Sequence, residues 1–181
     1  MHNMRERIIA ESRKNKNRCI DFIRKLIATP SQSCNEEQIA LLIRKEMIKV
    51  GYDSVHIDRF GNVIGIIGNG PNRIMFDAHV DTINIGDRSQ WRFDPFEGNI
   101  KAGKIYGHGA SNNKGGLGAM IYAGKIIKDL ELAENCTFIA VCSIQVEQCE
   151  GMAYKALFEV EKVYPNYMVL TMPTSMKINC G

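Results

Sequence analysis

The chemistry-bearing residues of this 181-residue chain include four histidines and six cysteines, and one short stretch sets two of its polar residues in a useful order. Ala78-His79-Val80-Asp81-Thr82 places a His two residues before an Asp, at the end of an apolar segment. An imidazole binds a metal through one ring nitrogen. A carboxylate nearby accepts the hydrogen bond from the other nitrogen and fixes the tautomer. Strand ends in open α/β sheets are also where ligands gather. Alone, His-x-Asp equally describes a satisfied polar pair at a strand edge. Lys114-Gly115-Gly116 opens a helical segment, but its spacing is not that of a phosphate-binding loop, and glycine there permits a tight helix–strand approach. Cys149 lies near Glu147 with no His close in sequence to activate it as a nucleophile. Trp91, Phe93, Pro95 and Phe96 read as packing within a long loop rather than as a substrate platform.

These residues need a scaffold. Ile20, Ile23 and Ile27 recur at helical spacing over residues 17–28, and the helix must stop before Thr29-Pro30, because a residue preceding proline disfavours helical dihedrals. Ser33 with Glu36 three residues on is a capping-box pattern. It opens a second helix carrying Ile39, Leu42, Ile43, Met47 and Val50 on one face, with Gly51 at the C-cap position. Short strands follow at residues 55–57, 62–67 and 73–76, bounded by Gly, Asn and Pro. Residues 84–113 are rich in Gly, Asn and Asp and read as a long irregular excursion, of the kind that is more often functional than accidental. A helix over about 114–130, a buried strand at 136–146, a helix over about 152–160 and a strand at 168–171 complete the pattern. Alternating helices and strands of this kind predict a layered α/β domain.

Composition narrows the class. Hydrophobic residues make up 45% and charged residues 24%, a globular balance that excludes disorder, and no apolar run approaches membrane-span length. The net charge of +3 is concentrated in residues 1–25, where eight Lys or Arg face three acidic residues. That segment could touch nucleic acid. With no aromatic interleaving, a solvated helix face is the preferred reading, and neither a nucleic-acid nor a membrane partner is expected. No export signal is visible and no Cys-x-x-Cys pair occurs, so the cysteines read as reduced thiols of a cytoplasmic protein, several of them buried.

The run Gly86-Asp87-Arg88-Ser89-Gln90-Trp91-Arg92-Phe93-Asp94-Pro95-Phe96-Glu97-Gly98, followed by Tyr106-Gly107-His108-Gly109-Ala110-Ser111-Asn112-Asn113-Lys114-Gly115-Gly116, adds specificity. Together with His79-x-Asp81-Thr82, it resembles the zinc aminoacylase and exopeptidase superfamily, which includes acetylornithine deacetylase, succinyl-diaminopimelate desuccinylase and carboxypeptidase G. The pattern is most similar to that of the selenium-metabolism-linked hydrolases. The resemblance spans residues 30–174 and implies a dinuclear zinc site. By it, His79 holds one metal and Asp81 orients it. Asn112 stands where an acid bridges both metals. Val146 stands at the general-base Glu, Glu147 keeps the next Glu as a ligand of the other metal, and Met172 replaces a further ligand Glu. His108 stands where the pattern has Arg. It reads either as a substitute ligand or, preferably, as a plain replacement in a polar loop.

The departures matter chemically. An Asn amide offers one neutral oxygen where a bridge needs two anionic ones, and Met172 is a soft thioether at an oxygen-ligand position. Val146 cannot move a proton. The resemblance therefore implies a three-layer α/β zinc-exopeptidase-like catalytic domain, with residues 1–181 as its N-terminal portion and with the lid domain and C-terminal part absent. The implied family activity is metal-dependent hydrolysis of an amide bond in a small N-acylated or peptide-like substrate. This chain is expected to bind zinc weakly, if at all, and to be inactive. The alternative is a non-catalytic binding or oligomerisation module. Missing strands are expected to leave sheet edges open along residues 136–146 and 168–171, favouring homo-oligomers.

Overall fold

A computed structural model describes residues 3–149, 151–175 and 177. In chain order the elements are α1 (Met4–Ala28), α2 (Glu37–Val50), β1 (Ser54–Ile57), β2 (Val63–Ile67), β3 (Asn72–Asp77), β4 (Asn99–Lys101), β5 (Lys104–Tyr106), α3 (Gly115–Asp129), β6 (Cys136–Cys142), α4 (Met152–Lys155) and β7 (Tyr167–Leu170). The main sheet runs β1-β2-β6-β3-β7, with the β1–β2 and β2–β6 pairs antiparallel and β3 parallel to both β6 and β7.

The period of two along the central strands divides the core. Phe138, Ala140 and Cys142 of β6 join Val63 and Ile67 of β2 in a cluster with Phe22 and Leu26 of α1, Ile39, Ile43 and Met47 of α2, and Leu117 and Ile121 of α3. The alternate residues Ile139 and Val141, with Ile64 and Met75, pack against Leu157 and Val163 that follow α4. The sheet is therefore the middle of three layers, as the α/β reading expects. Gly118 lets α1 and α3 close on each other, because any Cβ there would strike Ile23. Among the described residues no helix is long and apolar enough to cross a membrane.

Several boundaries differ from the sequence expectation, each for a physical reason. Helix α1 begins at Met4, well before residue 17, with Asn3 as its cap accepting from the Arg5 N–H. Its first turns are exposed, and the apolar Met4, Ile8 and Ile9 there are separated by a polar run from the buried stripe that begins at Phe22. All eight of its flanking Lys and Arg are exposed, consistent with a solvated face. No capping box forms at α2: Glu36 occupies the cap with no side-chain cap bond, while Gly51 closes the helix in the left-handed region as expected. Strand β6 stops at Cys142 instead of running to 146, because the chain bends at Ile144 and at Gln145, whose φ is 57°, and brings the Val146 N–H to Asp81. The excursion at 84–113 is not all irregular: β4 and β5 form a hairpin too short to show an alternating pattern. Residues 152–160 make only four residues of α-helix, followed by a wider turn at Ala156–Val160.

The edge expectation is half corrected. Strand β6 lies at the sheet's centre, paired on both sides and buried from Thr137 onward, so residues 136–146 form no edge. Strand β7 is the open edge, with Tyr167 69% and Leu170 52% exposed. Among the described cysteines, Cys142 is buried, Cys19 and Cys136 half-buried, and Cys34 and Cys149 exposed, all as free thiols. Cys180 lies outside the described residues.

Candidate functional site

The site gathers at the ends of β3 and β6, the parallel pair whose carboxyl ends face the same way. Past Asp77 the chain stays extended, with Ala78 donating to Val141 O at 3.0 Å and Val80 to Ser143 O at 2.8 Å. Spacing by two residues then sets Asp77, His79 and Asp81 in series. The loop after α1 is stitched alongside: Thr82 N–H donates to Ser31 O at 2.9 Å, and Ser31 Oγ donates to Val80 O at 2.8 Å.

Asp81 is fully buried and accepts from four sides. Its Oδ2 takes Ser33 Oγ at 2.6 Å and Glu147 N–H at 3.0 Å, and its Oδ1 takes Val146 N–H at 3.1 Å and faces His79 Nδ1 at 3.3 Å. Burial alone would raise its pKa. The hydrogen bonds from His79, Ser33 and the Glu147 N–H outweigh burial and hold the carboxyl below its ordinary range. His79 is 3% exposed. Burial works against its charged form, but the bonds to Asp81 and Asn112, with the charges of Asp81 and Glu147, lift its pKa above the ordinary value. Nδ1 meets only acceptors, the Asp81 carbonyl at 3.1 Å and the Asp81 carboxylate, so it carries a proton. Asp77 is pushed up to about 6 by burial, despite donors from Tyr154 and Ser143.

Across from this pair stands Asn112. Its amide Nδ2 donates to Glu147 Oε1 at 2.9 Å, and its Oδ1 lies 3.1 Å from His79 Nε2. His79 Nε2 and Glu147 Oε1 are 3.9 Å apart. The next residue, Asn113, is buried and donates to Thr171 O at 2.5 Å and to Thr171 Oγ1 at 3.1 Å. Glycine at 116 makes room for this turn, since a Cβ there would meet the Asn113 side chain. Lys114 is 1% exposed, donates to Thr29 O at 2.9 Å and is lowered to about 8 by burial. It ties the Asn112 turn to the end of α1.

Thus His79, Asp81, Asn112, Val146 and Glu147 come together. Val146 contributes its backbone N–H and an apolar side chain. Met172 sits one residue past Thr171 and is 52% exposed. His108 lies edge-on to Trp91 and Phe96, at ring-centroid distances of 5.8 Å and 6.1 Å, as a packed ring. Cys149 is exposed, and its N–H donates to Gln145 O.

Sequence reasoning assigned Ser33 to helix capping, whereas it donates to Asp81. Asp77 and Asn113 were not singled out, and Glu36 was read only as part of the capping box. The two-residue spacing of Asp77, His79 and Asp81 was a readable signal for the first. Glu36 accepts from Gln145 N–H, a contact 109 residues apart that no local pattern encodes.

The residues present do not fit a dinuclear metal centre. Among the described residues no group of three or more His, Cys, Asp or Glu side chains could hold a metal. A catalytic zinc takes about three protein ligands, and Asn112 and Met172 supply no anionic donor.

Comparison with known proteins agrees with this architecture. Human carnosine dipeptidase 1 superposes with a TM-score of 0.74 at 22% identity, covering 92% of this chain and 40% of its own. "Uncharacterized protein YgeY" of Escherichia coli strain K12 is 42% identical over 160 residues, 88% of this chain. A succinyl-diaminopimelate desuccinylase of Orientia tsutsugamushi strain Ikeda is 32% identical over 110 residues, 58% of this chain and 28% of its own. The chain spans 40% of the length of the Escherichia coli relative. The profile of peptidase family M20/M25/M40 matches residues 75–178. With that match laid over a three-layer sheet whose strand ends carry His79 and Asp81, the chain belongs to peptidase family M20/M25/M40.

Proposed function

We infer that this chain keeps the scaffold of a metal-dependent amide-bond hydrolase, of the deacylase or peptidase kind, and does not itself catalyse. The family substrate class is a small N-acylated or peptide-like molecule. In this reading residues 1–181 correspond to the N-terminal part of such a catalytic domain. The observation that carries it is Asn112, whose neutral amide spans His79 and Glu147 where the family pattern calls for a bridging carboxylate. Val146 supports it from the other side: removing a positioned acid or base lowers rate by roughly 10²–10⁴-fold. Zinc binding is correspondingly weak and substoichiometric.

The test is an assay of the purified chain against N-acyl amino acids and dipeptides with zinc added. No turnover above the buffer rate is expected. Zinc-dependent hydrolysis abolished by His79→Ala would overturn the reading. The exposed edge of β7 also favours self-association, because among the described residues its outer N–H and C=O groups meet no further strand of the sheet. Sedimentation at several concentrations should show assembly. A stable monomer throughout would remove this part.

A further inference from the structure

Asn112 stands between two groups that the family pattern turns toward metal. Its Nδ2 donates to Glu147 Oε1 at 2.9 Å and its Oδ1 faces His79 Nε2 at 3.1 Å. A carboxylate can only accept, so Glu147 fixes which way the amide points, and His79 Nε2 must carry a proton, as Nδ1 does, to donate to its Oδ1. Around a tetrahedral zinc with bonds of roughly 2.0–2.1 Å, ligand atoms lie roughly 3.4 Å apart. His79 Nε2 and Glu147 Oε1 are 3.9 Å apart, with the Asn112 oxygen 3.1 Å from the former. The three side chains thus already converge at the spacing of a cation site, with a neutral amide at its centre.

Both flanks of that arrangement are anchored. His79 is held from behind by Asp81, which Ser33 and two backbone N–H groups hold in turn. The Asn112 turn is held by Asn113 on Thr171 and by Lys114 on Thr29. The position of residue 112 is therefore set by the fold, and its charge is the variable.

We propose that Asn112 is a clasp: its amide links His79 to Glu147 by hydrogen bonds in place of a metal ion, and the single change Asn112→Asp turns the clasp into a divalent-cation site. The proposal rests on the functional reading above and goes beyond it, because it gives residue 112 a structural task and makes the loss reversible. A carboxylate at 112 sits against the Glu147 carboxylate. That repulsion destabilises the empty site and is relieved by a bound cation. By the resemblance His79 and Glu147 serve different metals, but their 3.9 Å separation here lets both share one ion with Asp at 112, which reaches the three ligands a zinc site needs.

The experiment titrates Zn²⁺ alone into wild type, Asn112→Asp, Asn112→Ala and the double variant Asn112→Asp with Glu147→Gln, reading calorimetric affinity and thermal midpoint. Wild type should be unmoved by zinc or chelator. Asn112→Asp should melt below wild type without metal, and should bind zinc tighter by on the order of 100-fold, since even outer-shell changes shift affinity by roughly 10–100-fold. Adding Glu147→Gln should remove that gain, which locates the ion here and not at exposed Cys34 or Cys149. Asn112→Ala should melt below wild type without gaining zinc. A wild type that gains as much from zinc as Asn112→Asp overturns the clasp. So does an Asn112→Asp chain that is folded by circular dichroism and indifferent to zinc. If that variant does not fold, Asn112→Ala decides, and a midpoint equal to wild type overturns the proposal. Hydrolysis by wild type would sink the functional reading, whereas a folded Asn112→Asp that ignores zinc would sink the clasp alone.

Discussion

The two flanks of the site rest on different parts of the sheet, and they have fared differently. The Asp81 flank grows from β3 and β6, strands paired on both sides between two apolar clusters. There His79 and Asp81, the residues that the proposed reading carries over from the family, are buried and bonded to each other. The Met172 flank follows β7, paired on one side only and largely exposed. There Met172, which the proposed reading sets at a family ligand position, is 52% exposed. A buried polar network constrains its members through folding as well as through chemistry, since deleting one strands the others. An exposed ligand position has only its chemistry to keep it.

The largest expected effect follows from that contrast. Asp81→Ala strands His79 Nδ1, Ser33 and two backbone donors in a buried setting, and should cost about 3–5 kcal/mol, the range for breaking a buried pair. Met172→Ala should stay within about 0.5 kcal/mol, as surface changes do. Urea denaturation of both variants checks this, and similar losses would dissolve the comparison. A smaller and purely apolar version uses the strands themselves. Ile139→Ala in β6 should cost about 2–5 kcal/mol through lost burial and a cavity. Leu170→Ala in β7 should cost well under about 1 kcal/mol if the chain is monomeric. A larger loss at Leu170 that grows with protein concentration would instead show that β7 is covered by another copy.

Legibility from sequence follows the same divide. The apolar face of α2 was readable because burial imposes period, β6 was readable from its length and β-branched residues, and His79-x-Asp81 was readable because the extended strand puts both side chains on one side. Helix α1 before residue 17 was not readable, since capping by Asn3 and exposed polar turns hold it rather than an apolar stripe. Ser33 was misassigned because Ser followed by Glu at the third position fits a capping box. Its hydroxyl instead serves Asp81, 48 residues away in sequence, and Glu36 serves Gln145. Nor could spacing tell that β6 is central and β7 the edge, because strand order is decided by crossovers that local pattern does not contain.

The most direct test of the account is the metal content of the chain itself. Its claim is that Asn112 and Met172 leave His79 and Glu147 without the anionic partners that a dinuclear centre requires. The measurement is elemental analysis after purification in zinc-supplemented buffer and exhaustive dialysis. The account predicts zinc well below one ion per chain, with no change in thermal midpoint on adding chelator. Two zinc ions per chain retained through dialysis, and a midpoint that falls when they are removed, would contradict it.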